Sequence, residues 1–157
     1  MLKIEIPRTG LLEIKHLVLD FNGTLSVDGR IKTGVKEKLF ELGKNLEVHV
    51  ITADTFGKAR KALIDVNCQL HILPPDEPHD ELKLKYVEEL RATNVCAIGN
   101  GSNDALMLAE ARLGIAVLME EGLSKEAFLA ADILVKDIND ALELLLNPLR
   151  LKATLRR

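Results

Sequence analysis

Short apolar runs alternate with helical stretches along the whole chain, and that alternation restricts it to an α/β architecture. After a short strand at Leu2–Ile6, closed by Pro7 and Gly10, the runs Ile14–Phe21, Glu47–Ile51, Gln69–Leu73, Val95–Ile98, Gly114–Leu118 and Ile133–Val135 read as strands. Between them Val35–Gly43, Thr55–Asp65, His79–Arg91, Ala105–Ala111, Lys125–Ala130 and Ile138–Leu146 carry helical spacing. Thr33 is the expected cap of the first helix, and Gly23 and Gly29 make Asn22–Ile31 a loop or tight hairpin. Strands apolar on both sides belong to a sheet covered on both faces. The expected fold is a three-layer, Rossmann-like, mostly parallel sheet of five or six strands with helices on both faces.

At 157 residues the chain fits a single domain with a closed core. No apolar run approaches the roughly 18 residues that span a bilayer. Lys3 and Glu5 near the start argue against a signal peptide, so a cytoplasmic location and no membrane partner are expected. The net charge of -3 gives no basis for binding nucleic acid, and the basic tail of Arg150, Lys152, Arg156 and Arg157 reads as a solvated C-terminus. One tyrosine, four phenylalanines and no tryptophan are too few for a stacking platform for bases. Cys68 and Cys96 read as buried, reduced thiols. His16, His49, His71 and His79 show no metal-ligand spacing and read as structural.

In parallel sheets, ligands gather beyond the carboxyl ends of the strands. Asp20, Thr52 and the run Gly99-Asn100-Gly101-Ser102-Asn103-Asp104 fall at such ends. A carboxylate closing an apolar strand is costly unless paired, hydrogen-bonded or bound to a cation. Asp20 therefore reads as a nucleophile, a metal ligand or a loop-capping residue. The glycine-rich run can hold Mg²⁺ through oxygen ligands or serve only as a turn and helix cap. Lys83 and Lys85 read as lying on the polar side of a helix whose apolar face is Leu82, Tyr86, Val87 and Leu90.

Asp20–Leu25, DFNGTL, resembles the first motif of the haloacid dehalogenase-like phosphohydrolase superfamily, usually D-x-D-G-T. The series DFNGTL, Thr52, the lysine of KLKYVEEL, GNGSNDALML, GIAV and AADILV is similar to soluble proteins related to the phosphorylation domain of P-type ion-pumping ATPases. The resemblance spans about Ile14 to Ala141. It implies that Asp20 forms an aspartyl-phosphate, that Thr52 bonds the transferring phosphoryl group, and that Lys83, rather than Lys85, neutralises charge between them. It further implies phosphate contacts from Gly23, Thr24, Ala53 and Asn103, and Mg²⁺ held by Asp20, the Asn22 carbonyl, Asn100 and Asp104.

Two departures from the family pattern bear on rate. Asn22 stands where hydrolases carry the aspartate that acts as general acid/base, and an amide exchanges no proton in that role. Asn100 replaces a metal-binding aspartate, removing one negative charge. The expected activity is a slow, Mg²⁺-dependent hydrolysis of a phosphate ester or acyl phosphate. The alternatives are a noncatalytic phosphate- or protein-binding regulatory module, or a phosphotransferase with a long-lived phosphoenzyme.

Only 26 residues separate Leu25 from Thr52, and 30 separate Thr52 from Lys83, so neither interval holds a cap domain. The expected organisation is one core domain over 1–157, with a short extension at 1–13 and an open site for a phosphorylated small molecule or macromolecule. Cap-less members of the family this chain resembles often form tetramers and carry a projecting hairpin after the first motif. Ser26–Ile31 is its counterpart here, in an expected dimer or tetramer.

Overall fold

The computed structural model describes residues 1–54 and 57–156. Thr55 and Phe56, the first residues of one expected helix, and Arg157 of the basic tail lie outside the described residues. The chain runs β1 (Leu2–Ile6), β2 (Gly10–Ile14), β3 (His16–Asp20), β4 (Ser26–Val27), β5 (Arg30–Ile31), α1 (Val35–Gly43), β6 (Glu47–Thr52), α2 (Lys58–Ala62) and β7 (Gln69–Ile72). It continues with α3 (His79–Glu89), β8 (Val95–Gly99), α4 (Ala105–Glu110), β9 (Leu113–Val117), α5 (Lys125–Ala130), β10 (Ile133–Val135), α6 (Ile138–Leu146) and α7 (Pro148–Leu155).

Six strands form the central sheet in the order β10-β9-β8-β3-β6-β7, and each neighbouring pair is parallel. The chain leaves β3 for β6 on one side and later returns to β8 on the other. The strand order therefore reverses at β3, the position at which a parallel sheet opens a crevice. Register pairs Asp20 with Ile51 on β6 and Leu19 with Ile98 on β8, so the three inner strands end level with one another.

Leu17, Val18 and Leu19 are all fully buried because both faces of β3 are covered. On one face Leu17 and Leu19 join a core with Val35, Leu39 and Leu42 of α1 and Ile138, Leu142 and Leu145 of α6. On the other, Val18 and Ile51 pack with Val87 of α3 and Met107 and Leu108 of α4. The buried residues of α1 recur at intervals of four and three, the spacing of one helical face.

Four local expectations are corrected. The apolar run Ile14–Phe21 is not one strand: Ile14 ends β2, which pairs antiparallel with β1, and exposed Lys15 separates it from β3. The extension is thus a hairpin whose Ile4, Ile6, Leu12 and Ile14 bury into the first core. Thr33 does not cap α1. Gly34 occupies the cap with φ 86°, and no side-chain cap bond forms there. The chain's helices do not end with α6: Pro148–Leu155 forms a further helix with Leu151 fully buried, while Arg150 and Arg156 stand exposed. Lys83 is not on the polar side of α3. It is 1% exposed, on the buried face with Val87.

Candidate active site

The site grows from the carboxyl end of β3. Asp20 is 7% exposed, and the chain then turns sharply, with the Phe21 carbonyl accepting from the backbone N–H groups of Leu25 and Ser26 and from the Ser26 hydroxyl. Gly23 permits the turn: its φ is 76°, and an added Cβ would collide with the Asn100 side chain. This close approach joins the first motif to the second. The buried Thr24 hydroxyl donates to Asn100 Oδ1 at 3.1 Å, and Asn100 Nδ2 donates to the Gly122 carbonyl at 3.0 Å.

Gly99 ends β8, and its lack of a Cβ makes room for the Asp104 carboxylate folded back against it. Asp104 Oδ2 accepts from the N–H groups of Asn100 and Gly101, each at 2.9 Å, and so ties the loop to the start of α4. Its other oxygen, Oδ1, accepts from Lys83 Nζ at 2.6 Å. The same ammonium donates to Asp20 Oδ1 at 2.7 Å. Lys83 thus reaches from α3 through the core to bridge both carboxylates.

Burial pushes the Asp20 carboxyl up to about 7, and the Asp104 charge adds to that. Lys83 and the Phe21 N–H act in the opposite direction. For Lys83, burial disfavours the charge, but Asp20 and then Asp104 outweigh it and hold the pKa above the ordinary lysine range. The ammonium therefore stays charged between the carboxylates.

Thr52 closes β6 at 2% exposure. Its Oγ1 accepts from Asn22 Nδ2 at 3.4 Å and from the Asp54 N–H at 3.3 Å, two long bonds that leave the hydroxyl proton available to a ligand. Asn22 is exposed at the mouth, and Ala53 follows Thr52 in a half-buried position. Asn103 is exposed beside Gly101, while Lys85 points outward on α3. Folding therefore gathers Asp20, Asn22, Gly23, Thr24, Thr52, Lys83, Asn100 and Asp104 around one strand end, with Asn103 at the periphery.

Asp54, which the sequence offered as a cap before a helix as readily as Thr52 offered a phosphate contact, has a carboxylate that accepts from the N–H groups of Ala59 and Arg60 of α2. The part played by Gly122 and Ser124 in fixing Asn100 was not apparent, because it rests on backbone groups.

The donor chemistry fits a hard cation. Asp20, the Asn22 carbonyl and Asn100 Oδ1 offer only oxygen, as Mg²⁺ requires. Once Asp20 is ionised, two carboxylates against one ammonium leave one negative charge uncompensated.

The fold recurs in solved phosphatases. The 3-deoxy-D-manno-octulosonate 8-phosphate phosphatase of Moraxella catarrhalis, solved with magnesium, phosphate and the sugar, superposes with a TM-score of 0.70 at 17% identity, over 85% of this chain and 86% of that one. A phospho-aspartyl intermediate analogue of phosphoserine phosphatase superposes at 0.67 and 15% identity, over 85% and 99%. The chain has the haloacid dehalogenase-like fold. Among the described residues, the segment between Asp20 and α1 carries only the β4–β5 hairpin, with no cap. In sequence, 78 residues are 56% identical to an uncharacterized protein of Methanocaldococcus jannaschii, covering 47% of this chain and 84% of that protein. A further 30% identity over 109 residues links 68% of this chain to 16% of the potassium-transporting ATPase ATP-binding subunit of Thermoplasma acidophilum. No family model matches the chain.

Proposed function

We propose that this domain hydrolyses phosphate esters or acyl phosphates through an aspartyl-phosphate on Asp20, with Mg²⁺ as cofactor and a low rate. The observation that carries the proposal is the single buried lysine holding Asp20 and Asp104 at 2.7 and 2.6 Å. A free Asp20 oxygen attacks phosphorus, the bond to the leaving oxygen breaks, and water then attacks the acyl phosphate to restore the carboxylate and release phosphate. Lys83 offsets the approach of two anions, and the Thr52 hydroxyl donates to a phosphoryl oxygen. Asp104 acts as a positioning residue, since both its oxygens are engaged in fixing Lys83 and the Asn100 loop. Bound Mg²⁺ supplies further positive charge against the phosphoryl oxygens. Asp20 and Asn100, with the Asn22 carbonyl, would hold it.

Asn22 neither protonates the leaving oxygen nor activates water, so substrates with good leaving groups, such as aryl or acyl phosphates, are favoured. The test is Mg²⁺-dependent hydrolysis of p-nitrophenyl phosphate. Asp20→Asn, close in shape but without a nucleophilic oxygen of comparable strength, is expected to abolish it; residual activity equal to wild type would remove Asp20 from the mechanism. Acid-stable radiolabel accumulating on Asp20 without phosphate release would instead favour the long-lived phosphoenzyme, which the same Asn22 permits.

Mg²⁺ affinity is expected to depend on pH in a defined direction. Asp20 titrates at about 7 rather than near 4, so below neutrality it holds a proton that the cation must displace. Calorimetric titrations with Mg²⁺ should show apparent affinity falling by about tenfold per pH unit below neutrality and levelling above it. An affinity that does not change between pH 5.5 and 8 would place the cation away from Asp20.

A further inference from the structure

The other end of the sheet holds a second convergence of side chains. Glu47 and His49 sit two apart on β6 and so share a face. Register sets His16 of β3 beside Glu47, and Val18 beside His49, so the three polar residues meet on the face covered by α3. His16 Nδ1 lies 3.2 Å from His49 Nε2 and 3.7 Å from Glu47 Oε2. One donor atom from each residue falls within 4.8 Å of the others.

Two further features distinguish this from a chance cluster. His49 Nδ1 lies 2.9 Å from the Tyr86 hydroxyl of α3. With Nδ1–H donating to Tyr86, the lone pair of Nε2 faces His16, the outer-partner arrangement that orients ligating histidines. The spacing also fits: nitrogens bound to a tetrahedral zinc at about 2.0–2.1 Å stand about 3.3 Å apart. His49 is fully buried, the His16 side chain is 15% exposed, and Glu47 stands open to solvent, which leaves room for water as a fourth ligand.

We propose that His16, Glu47 and His49 form a binding site for a borderline divalent cation of the zinc class, with Tyr86 as the residue that orients His49. Two imidazoles and one carboxylate select such an ion over Mg²⁺, whereas the all-oxygen set at Asp20 does the reverse. Asp20 lies four residues along β3 from His16, about 13 Å away at strand rise. The proposal is therefore independent of the phosphatase reading.

The test is calorimetric titration of the chelator-stripped full chain with Zn²⁺ in excess Mg²⁺, accompanied by Co²⁺ absorption spectra. One equivalent of Zn²⁺ is expected to bind. His16→Ala should weaken it by about 100-fold or more, and Tyr86→Phe, which keeps the ring, by about tenfold. Glu47→Gln, at an exposed position, should also weaken binding without disturbing the circular dichroism spectrum. Asp20→Asn should leave zinc affinity unchanged. No zinc binding, or an affinity equal to wild type in His16→Ala, would overturn the proposal and leave a hydrogen-bonded histidine pair. Loss of zinc binding in Asp20→Asn alone would overturn it equally.

Discussion

Asn22→Asp is expected to raise Mg²⁺-dependent turnover of p-nitrophenyl phosphate by about 10²–10⁴-fold, the usual contribution of a positioned general acid/base. The backbone needs no change to accept it. Asn22 is exposed, and the turn that carries it is fixed by neighbours: Gly23 N–H donates to the Ser26 carbonyl at 2.9 Å, and Phe21 accepts three backbone bonds. Among the described residues, the Asn22 amide gives up one hydrogen bond, the long 3.4 Å contact to Thr52 Oγ1. A carboxyl there would protonate the leaving oxygen and then take a proton from the attacking water. The gain should be larger for alkyl phosphates than for aryl phosphates, because poor leaving groups depend more on protonation. A variant no faster than wild type, on a wild type that is itself inactive, would favour the noncatalytic binding module.

Lys83→Met is expected to destabilise the fold by about 3–5 kcal/mol, the cost of breaking a buried charge pair by removing one partner. For a chain of this length that is on the order of 10 °C in melting temperature. The cause is specific: Asp20 and Asp104 are both buried and share this one ammonium. Without it, one carboxyl must take up a proton to remain inside. Asp20 is already raised to about 7 with the lysine present, and removal raises it further. A group raised in the folded state costs stability as pH rises through its folded pKa, so the loss should grow above neutrality and shrink in mild acid. Thermal melts of both proteins from pH 5.5 to 8.5 read this directly. Equal melting temperatures at pH 8 would show that Lys83 does not hold the two carboxylates together.

The sequence made the parallel sheet legible because β3, β8 and β9 are buried on both faces, and unbroken apolar runs record that directly. The boundaries of α1, α5 and α6 were equally readable from spacing. The Gly10–Ile14 strand was not, because its run continues across Lys15 into β3, and only the antiparallel partner separates them. Lys83 was misplaced for an electrostatic reason. A lysine on a helix is ordinarily solvated, and the two carboxylates that draw this one inward are 63 and 21 residues away. The His16–Glu47–His49 group was missed in the same way: spacing along the chain records Glu47 and His49 as neighbours on one face, but the third member arrives through the register of a parallel strand.

The short β4–β5 hairpin has a kinetic consequence. Enzymes that close over their ligands must reopen, and reopening often limits turnover. Among the described residues, no cap domain stands over this strand end, and the ribbon beside it pairs only two residues per strand, so no domain closure of that kind has to be completed. Under the proposed hydrolysis, substrate would arrive and product depart without such a step, and the slow step would be bond making or breaking at phosphorus. Discrimination among substrates would then follow their intrinsic reactivity and the surface they present around the mouth, and not the shape of an enclosing chamber.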